Sequence, residues 1–109
     1  MKFQIRTSNL IIGRTNLEYS DLNMGMVHGL FYPETGYRIV QGVFQLFKQD
    51  KFEEYQQCRD ELKLELLDEN GIVIPTNCIH IEDYLSECNE ATIEIKIIDV
   101  VGWESRYVI

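Results

Sequence analysis

The sequence predicts a β-rich α+β fold: an antiparallel sheet or sandwich with one helical segment near residues 38–61 packed on it. Three observations carry this. Apolar and polar residues alternate in short runs of the second half, at Leu62-Lys63-Leu64-Glu65-Leu66, at Cys78 to Glu82 and at Thr92 to Val101. Asp68-Glu69-Asn70-Gly71 separates the first run from Ile72-Val73-Ile74, and Asn-Gly between apolar runs is a strong hairpin signal. From Tyr37 to Glu61 the apolar period lengthens to three and four residues, as on one face of a helix.

The elements follow in order. Phe3 and Ile5, then Leu10-Ile11-Ile12, flank the turn formers Thr7-Ser8-Asn9, so a hairpin is expected over about residues 2–14. Thr15 followed by Glu18 has capping-box spacing and predicts a single helical turn. Met24 to Tyr32 reads as a strand bent at Gly25 or Gly29, closed by the turn Pro33-Glu34-Thr35-Gly36. Residues 51–60 read as helix. Residues 38–47 stay open between helix and strand, because Ile39, Val40, Val43, Phe44 and Phe47 fit a helical stripe that Gly42 weakens. The Asn70-Gly71 turn is expected as type I′. The tail from Gly102 is expected as a final strand packed on the core, with an interface as the alternative.

With 109 residues, one domain can bury a core without disulfides or metals. Three cysteines, Cys58, Cys78 and Cys88, lack paired spacing and suit a reducing cytoplasm. No run is long and apolar enough for a signal sequence or a membrane span, so no membrane partner is expected. The net charge of −8 disfavours nucleic acid, which is held mainly by cations. Residues 1–50 sum to +1 and residues 51–109 to −9.

No motif for chemistry stands out. Cys78, His80 and Cys88 lack the spacing of a zinc site, and the Asp68 loop lacks the later ligands of a calcium loop. The glycines at 25 and 29 do not make a phosphate-binding loop. His28 or His80 could pair with Asp21, Glu82 or Asp83, a freedom that any acidic domain has. Arg59-Asp60, at the helix end, reads as a structural tie to the sheet, and residues 17–25 as an exposed patch. Glu82, Asp83, Glu87 and Glu90 crowd one apparent loop and are the candidate partner-binding residues, set against the plainer reading of a solvated surface.

Two blocks carry a resemblance. Gly13-Arg14-Thr15-Asn16-Leu17-Glu18, Asp21, Met24-Gly25, Gly29, Phe31, Pro33 and Tyr37 form the first. Tyr55, Cys58 through Leu66, Gly71 and Ile79-His80-Ile81-Glu82-Asp83-Tyr84 form the second. Together they span most of residues 13–84 and resemble an uncharacterised family of small bacterial proteins. The resemblance implies a bacterial cytoplasmic origin and carries over no catalytic residue, cofactor or metal.

The function expected is a non-enzymatic module that binds a basic protein, as an immunity protein does. The alternatives are a small enzyme with a pocket near His28 or His80, and a homo-oligomeric subunit joined through a strand edge or the tail.

Overall fold

A computed structural model describes residues 2–107. The chain runs through β1 (Phe3–Thr7), β2 (Leu10–Thr15), β3 (Tyr19–Asp21), β4 (Met26–Pro33), α1 (Tyr37–Lys48) and α2 (Phe52–Leu62). It continues through β5 (Glu65–Leu67), β6 (Val73–Ile74), β7 (Thr76–Tyr84), α3 (Leu85–Cys88), β8 (Glu90–Ile97) and α4 (Val100–Tyr107). The α+β class and the antiparallel sheet packed on helices are as the sequence predicts. No helix among the described residues is long and apolar enough to cross a membrane.

Every strand pair is antiparallel, in the order β6-β5-β1-β2-β4-β8-β7, with β3 also on β4. The two ends of this path, β6 and β7, are joined by Pro75 alone. A sheet whose extremes lie one residue apart must curl almost into a barrel, the direction in which strand twist drives it. Alternation then fixes an inner face carrying Phe3, Ile5, Ile12, Val27, Ile81 and Ile95, all essentially inaccessible. Each such side chain contributes about 1.5–3 kcal/mol through burial.

The helical region is two helices rather than one segment. Residues 38–47 are helical because Tyr37, Val40 and Phe44 fall on one buried face, whereas the Ile39 position of the apparent stripe faces solvent. α1 ends in a Schellman arrangement, Lys51 N–H to Leu46 C=O and Asp50 N–H to Phe47 C=O, with Asp50 left-handed (φ 61°) where glycine is usual. A line of buried rings then runs from Phe31 to Tyr37 (5.3 Å), Phe44 (6.1 Å) and Tyr55 (6.1 Å). Arg59 lies over the Tyr55 ring at 5.2 Å and near Asp60 (3.5 Å), and it also stands beside Thr76, Cys78 and Ile79 of β7.

Three local expectations are corrected. Thr15 and Glu18 make no helical turn. Thr15 ends β2 with its buried hydroxyl accepting from Leu17 N–H, and Leu17 is left-handed (φ 48°). The Asn70-Gly71 hairpin exists, but only Gly71 has positive φ (77°), so the turn is not type I′. Asp68 closes it instead, its Oδ1 accepting from Asn70 and Ile72 N–H. These bonds, Ile72 first, hold the Asp68 carboxyl below its ordinary pKa, and Tyr107 adds a third at 3.0 Å. The tail is a helix, not a strand, through Tyr107; Val108 and Ile109 lie outside the described residues. Asp99 accepts from Gly102 N–H at 2.9 Å as an N-cap, and Trp103 stacks on Phe3 at 5.1 Å.

Candidate functional site

The outer face of β4, β8 and β7 carries the site. Register lines up side chains across strands. Tyr19 of β3 opposes His28 of β4, His28 opposes Glu94 of β8, and Glu94 opposes His80 of β7. The next row is Leu30, Thr92 and Glu82. With strands about 4.8 Å apart, each row places its members in side-chain contact range. Above them lies an open pocket of about 690 Å³, lined by Glu18, Tyr19, His28, Glu82, Glu90 and Glu94 among others. Among the described residues, no lysine or arginine lines it.

The strand geometry that admits Glu18 is unusual. β2 and β3 pair the same side of β4, β2 against residues 31–33 and β3 against residues 26–28, so β4 has a gap between them. Leu30 N–H, facing that gap, donates to Glu18 Oε2 at 3.1 Å. A side chain on Gly29 would meet that carboxylate at 2.6 Å and Glu18 N at 3.0 Å. Glycine is needed there for a close approach rather than a bend.

His80 is held from the other side. Among the described residues β7 pairs only with β8, and the end of α1 and start of α2 come round it. Phe47 meets the imidazole at 4.5 Å, and the Tyr55 hydroxyl bonds Nδ1. Burial pushes the Tyr55 phenol up to about 12, so it stays protonated and donates. Nδ1 therefore accepts, and Nε2 carries the proton that faces Glu82 Oε1 at 3.5 Å. Burial holds His80 below its ordinary pKa against the opposing pull of Glu82. His28, by contrast, is exposed and stacks on Tyr19 at 5.3 Å with the rings 23° apart.

The four candidate partner-binding residues separate. Glu82 and Glu90 line the pocket. Glu87 is exposed in α3 but is gripped by Lys48 Nζ at 2.6 and 2.7 Å, which holds its carboxyl below the ordinary pKa. Asp83 is 1% exposed and points into the core, so it offers nothing to a partner. Its Oδ2 accepts from Tyr37, Gln41 and Gln45, and its Oδ1 from Leu85 N–H. The expected loop is in fact the end of β7 and the short α3, and strand alternation turns Asp83 to the same side as Ile79 and Ile81.

Sequence reasoning missed Glu18 and Glu94 as companions of Glu82. The alternation of Ile93, Glu94 and Ile95 marks Glu94 as outward-facing, whereas Glu18 was concealed by its capping-box spacing. No three histidine, cysteine or acidic side chains among the described residues come together as a metal site would require. Comparison with protein-family models, curated proteins and solved structures finds no match.

Proposed function

We propose that this protein is a small, acidic, non-enzymatic binding module that receives a basic protein on the outer face of β4, β8 and β7, in the manner of an immunity protein. One observation carries the reading: Glu18, Glu82, Glu90 and Glu94 surround one pocket whose described lining contains no lysine or arginine. Complementary charge of this kind speeds encounter and selects partners. The test is recovery of a complex from the native host. A basic partner whose association slows as salt rises, and slows further with Glu82→Gln and Glu90→Gln together, supports the reading. Recovery of the protein alone, or a complex indifferent to salt and to both substitutions, overturns it. A gene for a basic toxin beside this one supports the immunity form.

A second reading, a small enzyme, is favoured by one feature: His28 and His80 both line the pocket, on either side of Glu94. Replacing both histidines without changing any activity found in a broad substrate screen would dispose of it.

A further inference from the structure

We infer that the pocket on the outer sheet face is a guanidinium site, and that an arginine side chain is the group of a basic partner that it takes. The inference deepens the binding reading above and rests on it only for the source of the guanidinium.

The sign of the ligand comes from the lining. Glu18, Glu90 and Glu94 have no lysine or arginine within ion-pair distance among the described residues, while Glu34, Glu65 and Glu87 are each paired with a cation. Three carboxylates without a cation partner among the described residues thus line one cavity. Among the described residues, no three ligating side chains converge as a bare metal ion would require. An organic cation, reaching separate carboxylates through separate N–H groups, fits the spacing instead. Glu82 and Glu94 stand on neighbouring strands one row apart on the same face, a diagonal of about 7–8 Å between backbones. A planar fork of N–H donors spans such a pair, whereas a compact ammonium satisfies one carboxylate at a time.

The flat walls argue for the same group. Tyr19 is 61% exposed and stacked with His28, and Tyr32 is exposed on the same lining. Guanidinium is planar, weakly hydrated and stacks on aromatic faces, so it gains from a platform beside carboxylates. The volume, about 690 Å³, leaves room for the aliphatic stem and for the backbone that presents it. Glu18 adds rigidity, because its carboxylate is already fixed by Leu30 N–H.

The experiment titrates the isotope-labelled full chain with agmatine, with an acetylated and amidated Gly-Arg-Gly peptide and with its Gly-Lys-Gly counterpart, following backbone amides by NMR against sodium chloride of equal ionic strength. Saturable shifts centred on His28, Glu94 and His80, with the arginine peptide several-fold tighter than the lysine peptide, are expected. Glu94→Gln and Tyr19→Ala, both at exposed positions, each weaken binding about fivefold. Shifts no larger than those from salt, or equal affinity for the two peptides, overturn the inference. Binding of the peptide but not agmatine identifies a presented side chain, and equal binding of both shows that the peptide backbone adds nothing to the site's hold on the side chain. If the arginine probes bind yet no protein partner is recovered, the site stands and the protein-binding reading falls. If a basic partner binds unaffected by Glu94→Gln and Tyr19→Ala, the reading stands and the site falls.

Discussion

The Tyr37 hydroxyl donates to Asp83 Oδ2 at 2.8 Å inside the core, joining the first turn of α1 to the end of β7. Burial opposes the ionised carboxylate. The bonds from Leu85 N–H, Gln41 and Tyr37, helped by Lys48, outweigh it and hold the Asp83 pKa below its ordinary value. Burial and the same carboxylate drive the Tyr37 phenol far upward, so it remains a donor.

Asp83→Ala leaves three side-chain donors without their acceptor and is expected to cost about 3 kcal/mol, against about 1.5 for Tyr37→Phe. A depressed carboxyl pKa stabilises the fold above the unfolded value of about 4, and that stabilisation is lost as pH falls through the folded value. Urea midpoints between pH 2 and 6 should therefore fall less steeply in acid for Asp83→Asn than for the native chain. Parallel slopes would contradict the assignment.

His80 has the opposite chemistry and a different window. Its folded pKa is lowered, so stability is complete above the unfolded value of about 6.5. It declines as pH falls from there toward the folded value, since only the unfolded chain gains the proton in that interval. His80→Gln retains a group able to accept from Tyr55 and should flatten the profile between pH 5 and 7. NMR titration of His80 should give a midpoint below the ordinary histidine value of about 6.5.

The helical face of residues 37–48 was ambiguous because Ile39, Val43 and Gly42 obscured which residues turn inward. The buried set is Tyr37, Val40 and Phe44, and only packing distinguishes it from the neighbouring stripe. β8 was legible because its burial alternates cleanly from Ala91 to Ile97. The tail was misread because the apolar pairs Ile97-Ile98 and Val100-Val101 prolong the strand-like composition and conceal the Asp99 cap, after which Val100, Trp103 and Tyr107 have helical spacing. Asp83 looked like surface in an acidic run, although its phase matches Ile79 and Ile81. The pocket was the least legible feature. It needs the strand order that puts β8 between β4 and β7, and nothing local encodes that His28 and His80 flank one glutamate.

Gly42 is exposed in α1, and an added Cβ would meet nothing within 4 Å. Gly42→Ala should stabilise the protein by about 0.5–1 kcal/mol through helix propensity and a less free unfolded chain. Thermal melts that show no gain would mean that α1 contributes little to the cooperative unit.

Gly29→Ala should destabilise by about 1–2 kcal/mol, because the methyl group meets both the Glu18 carboxylate and the Glu18 backbone nitrogen. Native-state hydrogen exchange provides the specific reading. The Leu30 amide, bonded to Glu18 Oε2, should lose protection more than its neighbours.

Asp99→Ala removes the cap of α4 and should cost about 1 kcal/mol. Trp103→Ala, at a buried ring stacked on Phe3, should cost about 3–5 kcal/mol. A loss for Trp103→Ala no larger than for Asp99→Ala would show α4 to be loosely attached.

The strand order β6-β5-β1-β2-β4-β8-β7 limits the order in which the molecule can be made. β1 must wait for β5, and β4 must wait for β8, the last strand among the described residues. A chain emerging from the ribosome holds the two-stranded ribbon of β1 and β2 and the local helices early, but β4 keeps one bare edge until residue 97 is out. Arrested nascent chains ending before β8 should therefore be digested readily by protease along β4, and become resistant in one step when β8 is released to complete the sheet.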